Sequence, residues 1–317
     1  MLAVSKTRKY NSAKHGRRFG RGVLNTMQKL SLLLTLLRET FCRRRLLREP
    51  EPDLVMESVE QVEAYALAGR IDGVMSAGYL YHSAQISMVI AGCGTVLDLG
   101  CGPATQLGQI AELNPDIKFV GVDLSESMIE NARAYVGDRA LSNVTFVCDD
   151  MTRLDRITDN SVDAVVSTMA LHHLPTIAHL ESCFRQIKRI LKPNGAIYIT
   201  DFGRLKHLRS VFFFAYMNRD HQPHIFSLDY ERSLRAAFEF AELKSVASKT
   251  LPPNIAAYST FLVPFLAVIK TPSRPLTERQ RQHLIVIRQA LPQRYRKDLD
   301  ELRRFFRWGG LAVDPFC

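Results

Sequence analysis

Two acids and two glycines bracket one short apolar segment. Asp98, Gly100 and Gly102 close the run Thr95 to Leu99, and Asp123 follows 21 residues after Gly102. A glycine turn between a strand and its helix lets a ligand approach the backbone closely, and an acid about 20 residues on is placed to accept from ribose hydroxyls. That pattern alone fits several nucleotides. Two details narrow it. Thr105 stands where a dinucleotide-binding G-x-G-x-x-G turn needs its third glycine. Asp98 puts a carboxylate beside the turn, which suits a ligand carrying an ammonium group and opposes a pyrophosphate.

Other candidates follow in order. Val147-Cys148-Asp149-Asp150-Met151 offers two acids after an apolar run, and Ser167-Thr168-Met169-Ala170-Leu171-His172-His173 ends another run in paired imidazoles. A neutral imidazole near pH 7 takes a proton from a hydroxyl, an amine or an activated carbon. His172 and His173 are the candidate bases, with His173 preferred; the alternative is a histidine that packs under its loop or caps the next helix. The Arg219 to His224 loop has H-x-x-H spacing, but Pro223 and the missing glutamate exclude a zincin geometry, and no metal site is expected.

These residues need a scaffold that brings strand ends together. Thr95 to Leu99, Lys118 to Val122, Val144 to Cys148, Val162 to Ser167 and Ala196 to Thr200 read as strands, alternating with helical patterns such as Leu180, Phe184, Ile187 and Leu191. The alternation predicts a doubly wound, mostly parallel α/β sheet. Helices are expected from about Ala104 to Leu113, from Ser125 onward and from about Leu228 to Leu243. Lys244 to Thr250 and Phe261 to Ile269 read as strands that extend the sheet. Near the C-terminus, Tyr295, Leu299, Leu302 and Phe306 share one helical face.

VLDLGCGPAT, from Val96 to Thr105, resembles the first motif of the class I (Rossmann-like) S-adenosylmethionine-dependent methyltransferases, D-x-G-x-G-x-G, with Ala104 in place of the last glycine. The resemblance runs from Val96 to about Ile269 and includes LKPNGAIYITD, from Leu191 to Asp201. It is closest in kind to the small-molecule branch that contains the ubiquinone/menaquinone C-methyltransferases. It implies S-adenosyl-L-methionine as cofactor, with Gly100, Cys101 and Gly102 along its methionine and ribose parts and Asp98 near the amino group. Asp123 is then expected on both ribose hydroxyls and Leu124 on the adenine. Asp150 would accept from the adenine amino group, with Asp149 as fallback; the Met151 N–H would face a ring nitrogen, and Met169 would pass the sulfonium. Tyr81 and His82, in a covering helix, and Phe213 and Tyr216, in an acceptor lid, are the implied substrate contacts; ordinary packing is the competing account of each.

The resemblance implies an enzyme that moves a methyl group to a small hydrophobic or aromatic acceptor by in-line displacement. A macromolecular substrate is disfavoured. The base-stacking [DN]-P-P-[YF] tetrapeptide is replaced by Ser167-Thr168-Met169-Ala170, and no P-C nucleophile follows the fourth strand. A noncatalytic scaffold that keeps the fold and works through a basic tail is the reading from another class.

The formal charge of +10 points to such a tail. Residues 1–50 hold 13 Lys and Arg against Glu39 and Glu49, which leaves 29 basic and 30 acidic residues for 51–317. No nucleic-acid partner is expected of so neutral a body. Residues 1–22 are expected to be disordered and Leu24 to Leu47 to form a basic amphipathic helix, capable of contact with a membrane surface or another anion. The competing account is a functionless extension translated from a start upstream of Met27 or Met56. Glu49-Pro50-Glu51-Pro52 reads as a linker. Six scattered cysteines and no secretion signal fit the cytoplasm. The expected organisation is an extension over 1–50, a helical cap over 51–92, a core over 93–271 with its lid at about 205–228, and a helical extension over 272–317.

Overall fold

The computed structural model describes residues 30–43, 45–52, 60, 64 and 67–317. The disorder expected over residues 1–22 lies outside them. The core is a seven-stranded sheet in the order β3-β2-β1-β4-β5-β7-β6. Its strands are β1 (Thr95–Leu99), β2 (Lys118–Asp123), β3 (Val144–Cys148), β4 (Val162–Thr168), β5 (Leu191–Phe202), β6 (Ala256–Ser259) and β7 (Leu266–Lys270). β1 to β5 pair in parallel, and β7 is antiparallel to both β5 and β6.

The helices are α1 (residues 30–41), α2 (Ser76–Val89), α3 (Thr105–Leu113), α4 (Glu126–Asp138), α5 (Ile177–Ile190), α6 (Leu208–Tyr216), α7 (His224–Ala236), α8 (Phe240–Thr250), α9 (Glu278–Ala290) and α10 (Gln293–Trp308). Alternate residues of β1 serve opposite faces of the sheet. Val96 packs with Leu80, Leu107 and Phe306 of α2, α3 and α10, whereas Leu97 and Leu99 pack with Phe184 and Leu243 of α5 and α8. The Tyr295, Leu299 and Phe306 face of α10 is buried as its spacing predicts.

Three expected elements differ. The helix expected from Leu228 to Leu243 is broken, because Ala237 adopts an extended conformation and a capping box between Glu239 and Glu242 starts α8. The strand expected over Lys244 to Thr250 is the body of that helix: Leu243, Val246 and Ala247 are buried at helical spacing. The strand expected from Phe261 contracts to Leu266–Lys270, because Leu262 turns through φ 63° and Thr260 bonds the carbonyl of Val263.

The segment that leads into the expected linker is anchored. Glu39 accepts from the backbone N–H groups of Lys206 (2.7 Å) and His207 (3.0 Å). The Arg48 guanidinium donates to the carbonyls of Ala236, Pro175, His172 and Leu174 and lies 3.9 Å from the Phe238 ring centroid. A five-donor fork that meets four carbonyls at turns and helix ends fastens the segment, and composition shows no sign of this. Leu32, Leu36 and Leu46 add an apolar seam against Val211 and Phe214 of α6.

Candidate active site

The C-terminal ends of the parallel strands open into a cavity of about 440 Å³, within the range of small-molecule sites. At its β1 end Gly100 turns through φ +70°, and a Cβ there would lie 2.3 Å from the Ala170 Cβ, so only glycine fits. Gly102 follows at φ +52°, and Ala104 caps α3 in the same left-handed region at φ 59°. The alanine that replaces the motif's last glycine is thus held at a strain of about 1–2 kcal/mol.

Asp123, at the end of β2, holds this turn. Its Oδ2 accepts from the Gly102 N–H at 2.8 Å and its Oδ1 from the Ser125 N–H at 3.0 Å. Each oxygen keeps a second lone pair for a hydroxyl. Asp98 is only 4% exposed, and its Oδ1 has no hydrogen-bond partner. Burial, reinforced by the Asp123 charge, pushes its pKa up to about 8. A buried carboxylate oxygen left without a donor at a cavity wall is suited to a cationic ligand. Cys101 lies between the two acids, and burial and their charges raise its thiol pKa.

At the β3 end the two acids divide. Asp149 spends both oxygens on its own loop, accepting from the N–H groups of Asp150 and Arg156. Asp150 engages Thr152 through Oδ1 alone. Leu124, Met151 and Met169 also line the cavity.

The far end is aromatic, formed by Phe202, Phe214, Phe226, Tyr230 and Phe265. Two of the expected substrate contacts, Phe213 and Tyr216, do not line it. The turn of α6 presents Phe214, followed by Met217, while Phe213 packs edge-on to Phe214 and the Tyr216 hydroxyl donates to Glu231. Tyr81 is likewise displaced: it stacks on Phe306 at 5.2 Å in the core. The cavity face of α2 carries Gly78, Tyr79 and the expected His82. His82 holds the Tyr198 hydroxyl at Nδ1 (2.7 Å), leaves Nε2 buried without a partner, and has its pKa lowered by burial to about 3.

The paired histidines are unlike each other. His172 is 3% exposed; its Nδ1 lies 2.7 Å from Asp201 Oδ1, and its Nε2 lies 3.7 Å from Glu51 Oε1. Burial alone would lower its pKa, but the Asp201 charge and hydrogen bond, with Glu51, outweigh it and raise the imidazole above its ordinary value. His173 is pushed down to about 3 by burial and the neighbouring His172 charge, and its Nδ1 sits 3.5 Å from Glu51 without hydrogen-bond geometry. Glu51 itself accepts from the Ser233 hydroxyl at 2.8 Å, and burial raises its pKa.

Glu51, His172 and His173 form the one trio of metal-compatible donors found among the described residues. The Ser233 bond and the Asp201–His172 pair make it an acid–base set. Asp201 and Glu51 were not singled out as site residues in the sequence. Asp201 closes a recognised motif, so its place two residues beyond the sheet-centre Ile199 was available as a signal; Glu51 sits in an apparent linker and had none.

Residues 92–238 match a family model described as "Methyltransferase domain". This region is a methyltransferase domain. It resembles the class I kind, whose members use S-adenosylmethionine. The chain is 32% identical over 108 residues to a malonyl-[acyl-carrier protein] O-methyltransferase of Legionella pneumophila, covering 34% of this chain and 36% of that protein. It is 35% identical over 109 residues to the 27-O-demethylrifamycin SV methyltransferase of Amycolatopsis mediterranei, with 34% and 38% covered. With a demethylmenaquinone methyltransferase of Roseiflexus castenholzii it shares 28% over 160 residues, 49% of this chain and 64% of that protein. The chain thus spans about a third of the first two relatives and less than two thirds of the third. The plantazolicin methyltransferase BpumL, solved with SAH, shares the fold at a TM-score of 0.50 and 15% identity, with 86% of this chain and 95% of that one covered. Among the described residues no helix is long and apolar enough to cross a membrane.

Proposed function

We propose that the whole chain transfers a methyl group from S-adenosylmethionine to a small hydrophobic or aromatic acceptor. The observation that carries this reading is the continuity of one cavity, from the Asp98, Asp123 and Asp150 end to the aromatic end under α6. S-adenosylmethionine, when bound, supplies an electrophilic methyl group on a sulfonium.

The residues of this chain hold and orient. Asp98 takes the methionine ammonium, which gives its orphaned oxygen the donor it lacks. Asp123 accepts from the ribose hydroxyls while its backbone bonds keep the glycine turn in place. Asp150 accepts from the adenine amino group, and Leu124 packs on the ring. Cys101, Met151 and Met169 complete the wall. Phe214 and Tyr230 hold the acceptor against the reacting carbon, and positioning at about 3–3.5 Å is the main source of rate in an in-line displacement.

His172 is the group that would take the acceptor's proton, at Nε2. It replaces His173 as the preferred base, because an imidazole pushed to about 3 is too weak a base near neutral pH. Asp201 orients the ring through Nδ1. Glu51 and Ser233 steady its other side.

We place the chain in the cytoplasm, a reading supported by six cysteines that form no disulfide. We also keep the division into an extension, a cap, a core with its lid and a C-terminal helical extension, with an anionic contact assigned to residues 1–50. The experiment that tests the activity is incubation of the protein with isotopically labelled methyl donor and a fractionated extract, followed by mass spectrometry. Label in a small apolar product supports the reading; label confined to protein or nucleic acid overturns it.

A further inference from the structure

We propose that α1 docks the protein onto the surface of an anionic phospholipid bilayer, lying along the interface with one face in the acyl boundary. The helix has two apolar faces and has covered only one. Leu32 and Leu36 pack inward on α6, with Thr35 and Glu39 buried beside them. Leu30, Leu33, Leu34, Leu37 and Phe41 stand outward at 44–77% exposure. Their spacing of i, i+3, i+4, i+7 and i+11 makes one continuous stripe on an α-helix. Leu47, just beyond, is 82% exposed.

Charge identifies what the stripe meets. The two acids of residues 30–50 are both spent on the protein, Glu39 on the backbone at Lys206 and His207 and Glu49 on Arg235. Arg38 and Arg43 lie at the end of the stripe, and the 29 residues before it add eight Lys and Arg with no acid. The outer side of this segment is therefore apolar and cationic, the combination that binds an interface between headgroups and acyl chains. A nucleic acid would take the cations and leave the leucines in water.

A second copy of the chain is a poorer occupant. The twelve described residues of α1 span only about 18 Å, short of the roughly 800 Å² per partner of a standard interface. Pairing across a two-fold axis would also bring two cationic segments together. Because α1 rests on α6, a docked α1 sets the lid of the cavity beside the bilayer.

The test is co-sedimentation of the full chain with vesicles of phosphatidylcholine alone and of phosphatidylcholine with phosphatidylglycerol. The wild type is expected to pellet with the anionic vesicles and to remain in solution with the neutral ones. Leu33→Asp combined with Leu37→Asp, at outward positions, should weaken that partition at least about tenfold. S-adenosylmethionine binding by this variant, unchanged from wild type, shows that it is folded. Absence of wild-type binding, or undiminished binding by the variant, overturns the proposal. So does a concentration-dependent dimer in sedimentation velocity that the variant abolishes, since the stripe would then serve a second copy.

Discussion

Asp201 grips His172 twice: its Oδ1 meets the ring Nδ1 at 2.7 Å, and its Oδ2 accepts from the His172 backbone N–H at 2.9 Å. The ring and its backbone are held by one carboxylate on β5, so Nε2 has a fixed direction toward Glu51 and the cavity. Rate should depend on His172 being neutral. With its pKa raised, kcat/KM for the acceptor should climb through a midpoint above about 6.5, and Asp201→Asn should move that midpoint to lower pH. His172→Ala should lower kcat by about 10²–10⁴-fold. The same pair affects stability in the opposite direction: the contribution is full below the unfolded histidine pKa and is lost as pH rises through the folded one. A flat pH profile in the wild type would remove His172 as the base.

Glu51 tests whether the N-terminal segment belongs to the site. Glu51→Gln keeps the Ser233 bond and removes a charge that favours protonated His172. The acceptor pH profile should shift to lower pH while the KM for S-adenosylmethionine stays the same. A variant with the wild-type profile would make Glu51 a purely structural group.

Asp98 is strained by its own burial. A carboxyl with its pKa raised to about 8 makes ionisation costly, so the ligand-free protein should lose stability as pH rises from about 4 toward 8. Asp98→Asn removes this cost, and the Tm of the free protein at pH 8 should rise. The Tm gain on adding S-adenosylmethionine should shrink, because the ammonium loses its charged partner. Thermal scans with and without ligand check both signs, and an unchanged ligand-induced gain would show that the ammonium lies elsewhere.

Arg48 should matter to folding more than to chemistry. Arg48→Ala strips a donor fork from four carbonyls and exposes the Phe238 ring. A cost of about 2–4 kcal/mol is expected in denaturant unfolding. A loss below about 0.5 kcal/mol would mean that residues 45–51 are not held as described.

What the sequence made legible follows the range of the physics involved. Val96 to Leu99 and Leu180 to Leu191 carry strong local periodicity, so the strand–helix alternation and the parallel sheet could be read directly. Asp98 and Asp123 were legible because the glycine turn fixes their positions within one β–α unit. Lys244 to Thr250 misled because an apolar pattern of seven residues fits either period, and the Glu239–Glu242 capping box decided for helix. Of the pair Tyr81 and His82 only His82 reaches the cavity, and Phe214 lines it where Phe213 was expected: helix phase is set by the surface a helix packs on, here Phe306 and the lid seam. Glu51 and Arg48 were illegible, since their partners lie more than 120 residues away and only the closed fold brings them together.

The most direct test of the account is calorimetric titration of the purified chain with S-adenosylmethionine, for the wild type and for Asp123→Ala. The expected result is saturable one-to-one binding by the wild type and an affinity about 10- to 100-fold lower in the variant, from the loss of charge-assisted hydrogen bonds worth about 1.5–3 kcal/mol each. No binding by the folded wild type, or equal affinity in the variant, would contradict it.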